Sequence, residues 1–206
     1  MTIDLALEIL GFLIGLLYLW WEYHANAKVW IASVIMPAIS MWIYYSKGLY
    51  ADFGINIYYL LIAVYGFIHW TRKPANQTAT GRNDTDSDQH SVSVITHIPG
   101  LTAIILAAVS LALWGAIWWI LVTFTDSTVP VADSFTTSLS IVGLWMLARK
   151  YIEQWFVWLL VDIVCSALYL YKGLDFYCVL YAIYTIISIL GYRKWLRLMR
   201  TQSPIS

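Results

Sequence analysis

From Glu153 to Asp162 the chain reads Glu-Gln-Trp-Phe-Val-Trp-Leu-Leu-Val-Asp, which sets Trp155, Trp158 and Asp162 three and four residues apart in an apolar run. On a helix these intervals share a face, so the three side chains form one aromatic stripe ending in a carboxylate. A carboxylate inside a membrane helix is expensive and is read by default as part of a functional site. Two indoles beside it suit a flat, cationic or amine-bearing aromatic ligand. Depth and spacing add Asn56 and Tyr59 from one apolar run and Tyr181 and Tyr184 from another, with Tyr177 on the same stripe as the latter pair. An Asn in mid-span needs partners, which makes Asn56 a candidate contact. Glu22 and Glu153 fall at helix ends, where solvation is cheap, and are read as solvated. Gly66 and Gly191 are read as close-packing points.

The elements that must position this stripe are membrane helices. The chain has 206 residues, 61% hydrophobic, 17% aromatic and 12% charged, with 12 tryptophans, which is too apolar for a soluble globule. Its net charge of zero removes any general argument for nucleic-acid binding. Apolar runs at 5–23, 30–46, 50–70, 97–124, 134–149, 154–171 and 174–193 predict seven spanning helices. The first lacks a basic leader and a small-residue cleavage site, so it reads as a retained helix and not a signal peptide. Of the 12 Lys and Arg residues only Lys47 and Lys172 fall on one side and ten fall on the other, which sets the N-terminus outside and the C-terminus in the cytoplasm. The polar stretch near 72–96 reads as a cytoplasmic linker. That side excludes glycosylation at Asn76 and Asn83, and His90 and His97 read as solvated loop histidines. Cys165 and Cys178 read as small buried hydrophobes, with no metal or disulfide framework.

An internal repeat organises these spans. Shifting the chain by 125 residues without a gap gives eleven identities across 19–70, among them Trp20 on Trp145, Trp30 on Trp155, Gly66 on Gly191 and Trp70 on Trp195. Helices one to three and five to seven thus read as two copies of one unit, and the helix inserted between them makes the repeat parallel. The boundaries are 1–71, a linker 72–96, a linker helix 97–125, a second unit 126–196 and a tail 197–206. In such proteins the substrate site lies near the midplane between repeats, so the expected activity is transport. Trp158 is matched by Ser33 and Asp162 by Pro37, so the second unit carries the charged part of the stripe, while Pro37 reads as a kink. Asp162 lies eight residues into its helix, or about 12 Å. With no Lys or Arg at that depth, it must be hydrogen-bonded, protonated, water-exposed or paired with a cationic ligand.

These residues resemble the PnuC-type vitamin transporters. The likeness rests on Glu153, the WxxWxxxD run at 155–162, the Tyr-Lys-Gly loop at 171–173, and the paired Gly66-x-x-x-Trp70 and Gly191-x-x-x-Trp195. It implies an all-α, SWEET-like 3+1+3 fold in a bacterial inner membrane. It also implies facilitated diffusion of an unphosphorylated B vitamin or precursor, trapped by a cytoplasmic kinase, and assigns Trp155, Trp158 and Asp162 to the substrate. An Asn at the last motif position resembles nicotinamide riboside transporters, whereas the Asp found here resembles the thiamine branch, PnuT. The expectation is therefore a thiamine transporter, with nicotinamide riboside as the alternative cargo, the bilayer as the other partner, and no cofactor; a homo-oligomer is compatible with it. A membrane enzyme is disfavoured, for no second carboxylate is expected at the depth of Asp162 and no HExxH, nucleophile–base pair or phosphate loop occurs. A seven-helix receptor or sensor fits by helix count, but the parallel repeat and the lack of a sizeable outer domain argue against it.

Overall fold

A computed structural model describes residues 14–46, 50–71, 94–171, 173 and 175–202, with backbone alone at 36, 39, 40, 42–46, 50–54, 175, 176 and 202. Seven helices occur among them: α1 (14–23), α2 (Val29–Ser46), α3 (Tyr50–Thr71), α4 (Gly100–Phe124), α5 (Pro130–Ala148), α6 (Gln154–Tyr171) and α7 (Asp175–Gln202). Most of the expected linker 72–96, with His90, Asn76 and Asn83, lies outside the described residues, as do Lys47 and Lys172.

Two boundaries differ from the sequence expectation for physical reasons. Helix α5 starts at Pro130 rather than 134 because proline is pre-organised for the first helical position. Its polar first turns stay helical because Ser134, Thr136, Thr137 and Ser140 donate their hydroxyls to the carbonyls of Pro130, Ala132, Asp133 and Thr136. Helix α7 runs nine residues past 193, to Gln202, through a segment whose Arg197 and Arg200 oppose the negative end of the helix dipole.

Helices α4, α5 and α6 are each long and apolar enough to cross a membrane over their described residues, and α3 adds the shorter apolar helix Ile55–Thr71. Helix α4 is the most apolar, with mean hydropathy 2.3, and none of its spanning window is buried. It rests on α5 and turns the rest of its surface outward, as a helix apolar all round does in lipid. Helix α2 packs on α3, α6 on α7, and α5 joins the two pairs through α3 and α6.

The core is built on four indoles in series. Trp30 meets Trp70 edge to face at 5.6 Å and 86°, Trp155 meets Trp195 at 5.6 Å and 88°, and Trp70 and Trp195 join the pairs at 6.2 Å. Trp30, Trp155 and Trp195 are fully buried or nearly so. Each outer indole lies on a glycine: a Cβ at Gly66 would collide with the Trp30 ring and one at Gly191 with the Trp155 ring. The inner indoles cap helix ends across the molecule. Trp70 Nε1 donates to the carbonyls of Leu147 and Ala148 at the end of α5, and Trp195 Nε1 donates to the carbonyl of Glu22 at the end of α1.

The turns that follow α1 and α5 are the same, bond for bond, at the offset of 125. After α1, Asn26 N–H reaches the Trp21 carbonyl and Ala25 N–H the Glu22 carbonyl, both at 2.9 Å. After α5, Tyr151 reaches Met146 at 3.0 Å and Lys150 reaches Leu147 at 2.9 Å. Both are Schellman turns, which place their penultimate residue in the left-handed region. Here it is Ala25 at φ 50° and Lys150 at φ 55°, where glycine is usual.

Lys150 is fully buried with Nζ 4.3 Å above the Trp70 ring. Burial lowers its pKa from 10.5 to about 7, the ring face notwithstanding. The unfolded chain thus holds the proton more tightly, and stability rises with pH between about 7 and 10.5. Thermal midpoints in detergent are expected to climb over that window in the wild type and to flatten in Lys150→Met; parallel curves for the two would disprove this. Gly191→Ala is expected to cost about 1–3 kcal/mol through overpacking. Gly115→Ala, where nothing lies within 4 Å, serves as the comparison, and equal midpoints for both variants would remove the indole–glycine contact from the core.

Candidate functional site

Helices α1, α3, α5, α6 and α7 enclose a cavity of about 380 Å³, inside the range of about 300–1,000 Å³ common for small-molecule sites. Six of the seven residues expected from sequence line it: Trp155, Trp158, Asp162, Tyr59, Tyr181 and Tyr184. Asn56 is buried but does not reach the wall.

The three residues of the α6 stripe do different work. The Trp155 ring is 1% exposed and is wedged between Gly191 and Trp195, so most of its surface belongs to the core. Trp158 is half-buried and lies over Gly143 of α5, where a Cβ would come within 3.4 Å of its ring. Asp162 is 4% exposed and accepts a hydrogen bond from Ser188 Oγ of α7 at 2.9 Å. The hydroxyl thus meets part of the demand that the sequence left open. Tyr181 and Tyr184 meet at a tilt with ring centroids 5.4 Å apart, and Tyr181 continues onto Tyr169 at 5.2 Å, forming an aromatic part of the cavity wall. Tyr184 crosses to α1 at Gly15, which has no side chain to obstruct its hydroxyl.

Glu22 requires a correction. It is 1% exposed and lines the same cavity as Asp162, so it is not solvated, and a second carboxylate does share the site. Its helix end is covered by Trp195, which lies 173 residues away and so is invisible to local pattern reading. His97 is likewise more than a solvated loop histidine: its Nδ1 is 2.7 Å from Glu153 Oε1, while Glu153 Oε2 accepts the Ile98 N–H at 3.0 Å. Of the cysteines, Cys165 is buried and lines the cavity, and Cys178 is half-buried.

Sequence reasoning also missed Ser188, Tyr18 and the α5 hydroxyls of Thr136, Thr137 and Ser140, all on the cavity wall. A signal existed for two of the missed residues. At the offset of 125, Ser188 stands on Ala63 and Glu22 on Leu147, the same asymmetry that singled out Trp158 and Asp162.

Three buried polar atoms on the cavity wall, Trp155 Nε1, Trp158 Nε1 and Glu22 Oε1, and both amide atoms of Gln154 beside it have no hydrogen-bond partner among the described residues. Each such atom costs about 1–3 kcal/mol, so their concentration around one cavity marks a place where a polar ligand can satisfy them. Donors and acceptors are both present, alongside stacking surfaces and two carboxylates, and no Lys or Arg is among the lining residues. Such a site favours a flat cation bearing hydrogen-bonding groups. A second, mainly apolar cavity of about 330 Å³ surrounds Trp30, Ser33 and Pro37, the counterparts of Trp155, Trp158 and Asp162. It shares Tyr18 and Tyr59 with the first.

Similarity to known proteins bears on the fold and the family. A crystal structure of the vitamin B3 transporter PnuC superposes with a TM-score of 0.70, covering 97% of this chain and 84% of that one at 20% identity, a likeness of fold. The nicotinamide riboside transporter PnuC of Escherichia coli is 20% identical over 94% of this chain and 86% of its own length. The riboflavin/roseoflavin transporter RibM of Streptomyces davaonensis is 25% identical over 96% of this chain and 88% of its own length. Residues 5–197 match the family described as nicotinamide mononucleotide transporter. The chain is thus a multi-pass membrane protein that belongs to this PnuC-type family of transporters.

Proposed function

We propose that the chain carries a nucleoside-like vitamin across a bacterial inner membrane, with nicotinamide riboside the first candidate cargo. The observation that carries this reading is the cavity lined by Asp162, Glu22 and the indoles of Trp155 and Trp158, with no Lys or Arg among its described lining residues. The pyridinium of nicotinamide riboside supplies the missing positive charge and a flat ring, and its amide and hydroxyls supply donors and acceptors for the unpartnered atoms. The relatives whose names specify nicotinamide riboside support the same choice. Thiamine is a second reading, favoured by Asp162 itself, since a carboxylate takes the exocyclic amine of an aminopyrimidine better than an Asn does.

In this proposal the two three-helix units, 1–71 and 126–196, rock about an axis along the membrane normal. The matched turns after α1 and α5 support that pseudo-symmetry. The distribution of basic residues supports a cytoplasmic C-terminus. Transport is facilitated diffusion, made unidirectional by phosphorylation of the cargo inside.

Purified protein titrated with nicotinamide riboside, thiamine and riboflavin is expected to show saturable quenching of tryptophan fluorescence by the first. Trp158→Ala should weaken that binding by about 1–3 kcal/mol, and Asp162→Asn should weaken it more than Trp20→Phe, whose ring is 62% exposed. A preference for thiamine moves the assignment to the second reading, and no response to any of the three overturns the vitamin site. A chemical probe gives an independent check. With Cys178 replaced by Ala, Cys165 is the sole thiol; saturating cargo should slow its modification by a small membrane-permeant maleimide, and unchanged kinetics would remove the cargo from this cavity.

A further inference from the structure

Glu22 on the cavity wall, with Gln154 behind it, forms a polar pair that the aromatic stripe does not account for. Glu22 closes α1 and Gln154 opens α6; they are 1% and 0% exposed. The two lie close enough to interact, yet Gln154 makes no side-chain hydrogen bond and Glu22 Oε1 has no partner among the described residues. Asp162 stands eight residues further along α6, roughly 12 Å from Gln154, and is met there by Ser188 of α7. The two indoles of the stripe lie between these ends. Glu22, Asp162 and Tyr184 all line the same cavity, so both carboxylates face one shared space.

Packing does not require either polar side chain. The turn after α5 has the same hydrogen bonds as the turn after α1, and there the counterpart of Glu22 is Leu147. The Leu147 carbonyl accepts from Trp70 just as the Glu22 carbonyl accepts from Trp195. Gln154 likewise has Val29 as its counterpart, fully buried at the start of α2. The architecture therefore builds this corner twice, once with apolar side chains and once with a carboxylate on the cavity wall and a buried amide beside it. Burying such groups where Leu and Val would serve costs stability unless a ligand uses them.

We infer that Glu22, braced by Gln154, is a second anchor of the cargo site, and that the cavity reads a two-ended cargo. A flat cationic ring lies at the indoles, its near donor is taken by Asp162 with Ser188, and hydroxyl donors at its far end are taken by Glu22. This rests on the vitamin-transport reading and adds a length requirement to it: a base without its sugar engages one end only.

The test compares nicotinamide riboside with nicotinamide, the base alone, by fluorescence titration up to concentrations that saturate a weak binder. Glu22→Leu and Gln154→Val install the side chains already tolerated at the equivalent positions. In the wild type the riboside should bind more tightly than the base. Glu22→Leu should lower riboside affinity at least tenfold and base affinity far less; Gln154→Val should act in the same direction but more weakly, and Asp162→Asn should weaken both ligands. Variants that bind the riboside as the wild type does, or that lose both ligands by one factor, overturn the second anchor while the vitamin site stands. A wild type that binds neither ligand overturns the underlying reading, and the second anchor with it.

Discussion

The arrangement depends on an exchange of hydrogen bonds between tryptophans and distant helix ends. A helix leaves its last carbonyls without intrahelical partners, and in a lipid-embedded protein water cannot be relied on to satisfy them. The indole of Trp70 supplies the end of α5 and that of Trp195 supplies the end of α1, with donor distances of 3.2–3.3 Å. Because each bond joins residues at least 77 positions apart, neither helix end can shift without disturbing a helix from the other part of the chain. The edge-to-face chain from Trp30 to Trp155 then fills the space between the bonds, and Gly66 and Gly191 allow the outer rings to sit against helix backbone. The same cross-cap that fixes the end of α1 buries Glu22, so the scaffold and the floor of the cavity have a common origin.

Electrostatics narrows what such a cavity can hold. Two carboxylates share a wall that is otherwise mainly aromatic, hydroxylic and aliphatic, and no basic side chain is among its described lining residues. In a medium of low dielectric an uncompensated pair of negative charges is strongly disfavoured. A cation with donors at both ends would relieve that cost, whereas an anion would increase it. The free phosphate group that a nucleotide carries is therefore a poor match, and an unphosphorylated nucleoside a good one. The Ser188 hydroxyl limits the penalty of an ionised Asp162.

Much of this was legible in the sequence, and what was not had a common cause. The α6 stripe was readable because Trp155, Trp158 and Asp162 are local to one helix and helical spacing is fixed geometry. The offset of 125 was readable because glycine–indole packing tolerates little substitution at either copy. Glu22 misled, since a carboxylate near a chain turn looks solvated unless the residue covering it is known, and here that residue is Trp195. Ala25 and Lys150 gave no sign of their left-handed backbone, because neither is the glycine that usually marks it. The hydroxyl run of α5 fell inside the expected helix, but its place at the cavity was not readable. Its side chains in fact satisfy themselves against their own backbone while facing the cavity.

The position of the indole chain also limits how a rocking mechanism could work. Trp70 and Trp195 bind across the two units, so breaking their caps during each cycle would give up three indole–carbonyl hydrogen bonds, at about 0.5–1.5 kcal/mol apiece. A transition that keeps both caps and pivots on them avoids that cost and confines the large displacement to the opposite end of the helices. Trp155 would then remain in the core in both states, while Trp158, half-buried and lying over Gly143 at the cavity, would be the one to follow the cargo. On that division one indole of the stripe is a fulcrum and the other a contact. Their identical chemistry is put to different use because one faces a glycine in the core and the other faces the space that must open.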